Sequence, residues 1–469
     1  MTSSTFLTQE AAAAIGELRS ALRGAVLAAP DPAYDGARRI WNGAVDRRPA
    51  VIARCADDKD VAAAVRVARE HDLPLSVLGG GHDWGGRALR EGGVVIDLSA
   101  MRGVSVDPRT ATVAAQGGAK AGDIVAATHP YGLAPVTGLV KAVGMAGLTL
   151  AGGYGLLVGA HGLALDNLLS ARVVLADGRA ITASAEENPD LFWALRGGGG
   201  NFGVVTAMRF RVHPIDTVLS GLVLFPITQG RAVLRGYREL IAEAPDELTV
   251  MAGFFGGPDG RPLLFLLPAW IGDQSRGEAI VNRLRRLGTP VTGQVGRVAY
   301  QDVLGQFDPS VVNGRHTEVR TRWLPELTED SAALLVTAMT RVTSPFSALF
   351  IHHFHGAASR VPAGNTAFAL RRDHALVEIV ASWDTSAGTA AGAGTAHGRW
   401  ARALSEGLAT HALPGGYPNL LGVDEGERAL RAYGGNLSRL LDLKRQFDPD
   451  DVFTAVPALH PAMAGNLTK

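Results

Sequence analysis

The residues best placed for chemistry sit among glycines. In GGGHDWGG (residues 79–86) a histidine, His82, follows three consecutive glycines at the end of an apolar run. Glycines there let the backbone approach another group closely, and a histidine among them is poorly placed for core packing. Either the loop is an ordinary turn, or His82 touches a bound group. Two further glycine-rich stretches occur, from Gly144 to Gly162 and in RGGGGNFG (196–203). Consecutive backbone N–H groups in such turns form a concavity suited to a pyrophosphate. The histidines of IHHFHGA (351–357) are a third feature. In a strand His353 and His355 share one face and His352 points the other way. No carboxylate stands at ligand spacing beside them, so a polar pocket is favoured over a metal site, and no metal is expected.

Other chemistries lack their entry points. The sequence has no G-x-x-x-x-G-K-[ST] loop, no G-x-S-x-G elbow and no H-E-x-x-H helix. Its glycine stretches do not follow the nicotinamide fingerprint, in which G-x-G-x-x-G links a strand to a helix with an acidic residue about 20 positions on. A dinucleotide held by a fold other than the Rossmann type remains.

The elements that must position these groups fall into three regions. AVIARC (50–55) reads as a strand, and Asp57 or Asp58 caps a helix running to about Asp72 with Val61, Val65 and Ala68 on one face. LSVL leads into the first glycine loop, and GGVVIDLS is another strand. Hairpins are expected to turn at Asp107-Pro108 and Asp177-Gly178, and Asn188-Pro189 opens a helix ending at the third glycine loop. This gives an α+β domain over residues 1–217 (core 40–217). From 218 to 412 the order of apolar strands, including ones near 347–355 and 365–383, and amphipathic helices fits an antiparallel sheet with helices on one face. Residues 413–469, with a helix stopped at Asp448-Pro449, are too few to stand alone and are expected to pack back on the first domain.

Bulk properties bound the partners. The chain has 469 residues, is 47% hydrophobic and 19% charged, and balances 45 Lys+Arg against 45 Asp+Glu. No net field is available to recruit nucleic acid or an anionic membrane. Cys55 is the only cysteine. The start lacks a basic region followed by an apolar stretch, so a cytoplasmic location is expected. The uncharged run Ala142–Leu165 is long enough to cross a bilayer, but its seven glycines argue for turns and close backbone approach instead. The residues are silent on oligomeric state.

Together, GGGHDWGG, GLVKAVGMAGLTLAGGYG, GLALDNLLSARVVLADG, NPDLFWALRGGGGNFGVVT and the tail YPNLLG…AYGGN…DP closely resemble FAD-linked oxidases of the vanillyl-alcohol oxidase/p-cresol methylhydroxylase superfamily. Within it they are similar to the berberine bridge enzyme-like branch, which includes hydroxynicotine oxidases and bacterial antibiotic-tailoring oxidases. The match covers most of 40–217 and 415–461. It implies a two-domain FAD-binding fold whose middle domain shapes itself around the substrate.

The resemblance implies roles. His82 stands where the family's histidine bonds to the flavin 8α carbon, with Gly79, Gly80, Gly81 and Asp83 around the pyrophosphate. Gly144, Gly147, Leu148, Gly152, Gly153, Gly203 and Val204 fall in the other cofactor-binding stretches. Many relatives add a cysteinyl bond at the position of Val140, which cannot form a thioether, so attachment through one bond is expected. Val143 stands at the family's oxygen gate, where a small side chain favours O2 as acceptor. Tyr154 and Tyr417 are candidate catalytic groups, with Tyr417 a base or an orienting group and Asn419 orienting substrate or the ring edge. The second tyrosine of the family's Y-x-N-Y tail is Leu420 here. Because the middle sheet roofs the flavin in relatives, His353, His355 or Arg371 is expected to contact substrate.

The implied function is an oxidase moving a hydride from an alcohol or amine carbon of a small, secondary-metabolite-like molecule to flavin N5, with O2 reoxidising the cofactor to give H2O2. Two alternatives stay open: oxygenation through a flavin–oxygen adduct, and a slow-turnover flavin protein that sequesters a metabolite.

Overall fold

Three strands of the first region, Val51–Arg54, Val94–Asp97 and Leu75–Leu78, pair in parallel, and Val26–Leu27 adds an antiparallel edge. Val94–Asp97 inserts between the other two, and the chain crosses over from Val51–Arg54 to Leu75–Leu78 through the helix Asp58–Glu70. Asp57 caps it, its side chain accepting from the Lys59 and Asp60 amides. Val61, Ala64, Val65 and Ala68 bury one face of that helix against Val51, Ala53, Val94 and Ile96. The strand Leu75–Leu78 thereby delivers the first glycine loop to one end of this sheet. The protein is described by a computed structural model covering residues 8–384, 393–454 and 459.

A second sheet is antiparallel, in the order Val104–Asp107, Thr112–Gln116, Val204–Arg211, Leu168–Val174, Ala180–Ser184. Its outer pairs are the two hairpins expected at Asp107-Pro108 and Asp177-Gly178. The uncharged run folds as short helices, Met145–Ala151 and Val158–His161, separated by glycine turns. Among the described residues no helix is long and apolar enough to cross a membrane.

Residues 217–383 build a nine-stranded antiparallel sheet. Alternation divides its two faces. Val250, Ala252, Leu349, Ile351, Val377 and Ile379 pack beneath helices Gly230–Ala242, Glu329–Thr340 and Ala393–Gly407. The side chains between them, among them Met251, Phe350, His352, Leu376 and Glu378, face the first region across a cavity.

One expectation is corrected. The strand expected over 365–383 begins only at His374. Ahead of it the chain is held as a loop, with the Ala367 and Phe368 amides donating to the Trp193 and Arg196 carbonyls. A short helix, Gly426–Ala432, precedes the helix expected to stop at Asp448-Pro449, which is Leu437–Phe447, with Gly434 at φ +48° between the two. Leu440, Leu441 and Leu443 of the second pack with Leu191, Leu195 and Phe202. Lys444, buried on the same helix, donates to the Asn201 and Phe453 carbonyls at 3.1 and 3.0 Å and pairs with Asp448.

Candidate active site

The three glycine loops and the open face of the large sheet enclose a cavity of about 470 Å³. Gly79–Asp83, Val143–Gly144, Gly147–Leu148 and Gly203–Val204 line one part, and Thr249, Met251, Phe350, His352, Leu376 and Glu378 the other. The first two loops meet backbone to backbone. A Cβ on Gly80 would lie 2.2 Å from the Gly144 amide nitrogen, and one on Gly144 would lie 2.5 Å from that of Gly80. Only glycines allow this approach, and His82 and Val143, which flank it in the two loops, both line the cavity.

His82 is clamped. Its imidazole stacks on Trp41 with centroids 4.4 Å apart and planes 11° from parallel. Burial, aided by the Lys120 charge, pulls its pKa down to about 4, so the ring is neutral at physiological pH. Its Nε2 is buried with no hydrogen-bond partner among the described residues. Asp83 is committed to its own loop: its carboxylate accepts from the Arg87 amide and, at 3.0 Å, from Arg87 Nε. Trp84 Nε1 and Arg87 Nη2 then reach the Leu420 and Leu421 carbonyls at 3.1 and 2.7 Å, fastening the loop to the tail segment.

The tail brings in Tyr417. Its hydroxyl oxygen accepts from the Gly153 amide at 2.8 Å and from Asn419 Nδ2 at 3.2 Å. Gly152 makes room for its ring, Gly153 packs against Ala164 and Leu148, and neither lines the cavity. A Cβ on Gly152, where φ is +153°, would lie 2.7 Å from Tyr417 Cε2. Burial pushes the Tyr417 pKa up to about 12, against the opposing pull of the N–H donors. Tyr154 meets Tyr417 edge to face at 4.9 Å, and burial drives its pKa well up too. Both phenols are therefore protonated at neutral pH. Of the two roles open to Tyr417, this geometry favours orienting over base.

The histidine strand places its members differently from the sequence-based expectation. His352 is on the cavity face, and its Nε2 lies 3.2 Å from Glu378 Oε2. His353 reaches the cavity lining but is buried, stacked on His355 at 3.8 Å, with its pKa well below the usual range because of burial. His355 is not in the lining; it packs against Gly159, with Nε2 3.5 Å from Thr249 Oγ1. Arg371 also lies away from the lining. Its guanidinium donates twice to Asp166, at 2.9 and 2.8 Å, and to Thr366 Oγ1 at 2.8 Å. A buried fork so fully used has nothing left for substrate. Among the described residues no cluster of three or more His, Cys, Asp or Glu is arranged to hold a metal ion.

Comparison with known proteins decides what this cavity belongs to. Residues 49–184 match the FAD binding domain family, and residues 416–458 match the family of berberine and berberine-like proteins. An FAD-linked oxidoreductase of Aspergillus terreus is 32% identical over 486 aligned residues, covering 95% of this chain and 96% of that protein. The chain belongs to the berberine bridge enzyme-like FAD-linked oxidoreductases. The (R)-6-hydroxynicotine oxidase of Paenarthrobacter nicotinovorans is 34% identical over 302 residues, 62% of this chain and 66% of its own. The crystal structure of 6-hydroxy-D-nicotine oxidase from Arthrobacter nicotinovorans superposes with a TM-score of 0.84 at 29% identity, covering 94% of this chain and 98% of that one.

FAD is the cofactor of this family, and the residues present fit it. The backbone contact between Gly80 and Gly144 keeps that part of the wall free of side chains, as a pyrophosphate needs. The unpartnered Nε2 of His82 marks a buried polar edge beside the same wall. Sequence reasoning missed four members of this berberine bridge enzyme-like site: Trp41, Trp84, His352 and Glu378. For two of them a signal existed. Strand alternation had already set His352 opposite His353, and Glu378 is the only carboxylate in the apolar run HALVEIVASW.

Proposed function

We propose that this FAD-linked oxidase removes a hydride from an alcohol- or amine-bearing carbon of a small organic molecule and passes the electrons to O2, releasing H2O2. We further propose that His82 carries the FAD through a single covalent bond. The observation that carries the reading is His82 itself: neutral, stacked on Trp41, and part of a cavity lining that also includes Val143. When bound, FAD supplies the two-electron acceptor.

The chain's own residues do the rest. A neutral imidazole keeps a lone pair for bond formation, which a protonated one would not. Val140 is in the cavity lining and has no thiol. Cys55 is fully buried with its thiol pKa pushed far up, so it offers no second bond. Val143, small and partly buried at the Gly80 contact, leaves O2 a path to the cavity. Tyr417 and Asn419 orient the reacting carbon by hydrogen bonding, and the apolar strands of the large sheet exclude water around it.

The test is a gel. Acid-denatured wild-type protein should show a flavin-fluorescent band that a His82→Ala variant lacks, and the native enzyme should release peroxide with a panel that includes (R)-6-hydroxynicotine. A dark wild-type band refutes the covalent bond, and a colourless native protein refutes the whole reading.

A further inference from the structure

A histidine that does chemistry usually has its ring set by a hydrogen bond from the second nitrogen to a carbonyl or carboxylate. Among the described residues His82 has no such bond to another residue. Its Nε2 is buried with no partner, and the one hydrogen bond that bears on its titration is to its own backbone. A bond inside one residue does not fix the ring against the rest of the protein. The indole of Trp41 meets the ring instead, with centroids 4.4 Å apart and planes 11° from parallel. Turning the imidazole about its Cβ–Cγ bond would drive a ring edge into that indole face, so the stack resists rotation.

Trp41 is itself firmly mounted. Its amide donates to the Gly81 carbonyl at 3.0 Å, one residue before the histidine, and its own carbonyl accepts from the Gly314 amide at 3.0 Å. Asn42, buried beside it, spends its whole side-chain amide on the same junction. Its Nδ2 donates to the Trp84 carbonyl at 2.6 Å and to the Thr317 carbonyl at 2.8 Å. Its Oδ1 accepts from the Thr317 and Ala44 amides at 2.9 and 3.1 Å. The Trp41-Asn42 pair thus brackets His82, at Gly81 on one side and at Trp84 on the other. Gly43 lets the pair sit against the large sheet's domain, since a Cβ there would lie 2.0 Å from the Gly314 carbonyl oxygen. So rigid a mounting gives the indole one position and the imidazole one plane.

We infer that Trp41 is the positioning residue for covalent flavin attachment, holding the His82 imidazole in the plane that its bond to the flavin 8α carbon requires. This rests on the single-bond reading above and names the side chain that makes the bond possible. The lone pair of a ring nitrogen lies in the ring plane, so the orientation of that plane decides whether the nitrogen can bond. The step balances with the reagents already named. As the nitrogen–carbon bond forms, the imidazole gives up its N–H proton and the 8α methyl group gives up one C–H proton. The two electrons released go to FAD and leave it, with both protons, to O2 as H2O2. Misplacing a reacting group by about 1 Å slows such a step by up to about 100-fold.

The experiment compares full-length wild type, Trp41→Phe, Trp41→Leu and His82→Ala, each purified with FAD in excess. Visible absorbance gives the FAD that each protein holds, and flavin fluorescence on an acid-denatured gel gives the covalent share of it. His82→Ala cannot form the bond and sets the level of FAD held without it. Trp41→Leu keeps apolar bulk without an aromatic face. It should still hold FAD, with a covalent share at least about tenfold below wild type, and Trp41→Phe should recover most of that share. Thermal melts establish that each variant is folded, and Trp41→Met takes the place of W41L if that chain does not fold. A folded W41L with the wild-type covalent share overturns the inference. So does a W41F no better than W41L, because an aromatic face is then not what the histidine needs. A W41L that holds no FAD overturns it too, by assigning Trp41 to binding. A dark wild-type band sinks the covalent reading itself, whereas a bright one matched by W41L sinks only the role of Trp41.

Discussion

The Tyr154 hydroxyl lies 2.8 Å from Nε2 of His374, whose Nδ1 lies 2.7 Å from the Arg372 carbonyl. A carbonyl only accepts, so Nδ1 carries the proton, Nε2 is the acceptor and Tyr154 donates to it. Burial pulls the His374 pKa down to about 3, which keeps the ring in that neutral form. Tyr154 is thus turned away from substrate by a buried partner 220 positions along the chain.

A Tyr154→Phe variant should therefore lose more stability than catalysis. It strands the buried His374 Nε2, at a cost of about 1–3 kcal/mol. Urea unfolding measures this, and kcat should stay within a few-fold of wild type. A collapse of kcat with unchanged stability would show that Tyr154 works on the substrate directly.

Tyr417→Phe should cost catalysis as well as stability, because the buried Gly153 amide loses its acceptor. Its oxygen is the acceptor for Gly153 and Asn419, and the phenyl ring that remains still fills the space beside Gly152. Loss of the orienting hydroxyl should lower kcat/KM by about 10–100-fold, corresponding to about 1.5–3 kcal/mol. Because burial keeps this phenol protonated through neutral pH, the variant should retain the shape of the pH–rate profile near neutrality. A base role predicts that a limb of the profile disappears.

Acid should begin to destabilise the fold above the ordinary carboxylate range, through buried histidines. His82 and His213 are pulled from the usual 6.5 down to about 4, and His374 to about 3, in each case chiefly by burial. Between these values and pH 6.5 the unfolded chain binds protons that the folded protein refuses, so stability falls as pH falls through this window. Denaturant midpoints measured from pH 7 to pH 4 should show that slope. His213→Gln, which keeps a donor for Asn167, should make it shallower. A flat midpoint over the window contradicts the burial of these rings.

Lys444→Met should cost about 3–5 kcal/mol, because it leaves the fully buried Asp448 without its cation. The same lysine also holds the carbonyl of Asn201, a residue of the cavity lining, so the flavin-to-protein absorbance ratio of the purified variant should fall together with the melting temperature. Loss of stability with full flavin incorporation would separate the tail from the cofactor wall.

Much of the molecule was legible from local pattern. Glycine spacing identified the loops that approach one another, because only residues without a Cβ tolerate the Gly80–Gly144 contact. Periodicity identified the helix capped by Asp57, both hairpins and the sheet with helices on one face, since each depends on neighbours within a few residues. The helix stopped at Asp448-Pro449 was legible too, whereas the shorter Gly426–Ala432, parted from it by the positive φ of Gly434, was not.

Tertiary structure decided what depends on distant partners. Arg371 looked available for substrate until Asp166, 205 positions away, took its guanidinium. Strand alternation gave two faces to the IHHFHGA histidines, and only the packing of helices on the Ile351 face assigned the cavity to His352. The pairing of His352 with Glu378 follows from strand register, which no stretch of either strand encodes alone. The protonation states of His82, Tyr154 and Tyr417 are likewise set by burial, and burial is a property of the assembled core. Residue type and spacing determined which groups this chain brings to flavin chemistry; long-range packing determined which of them face the reacting molecule and in what charge state.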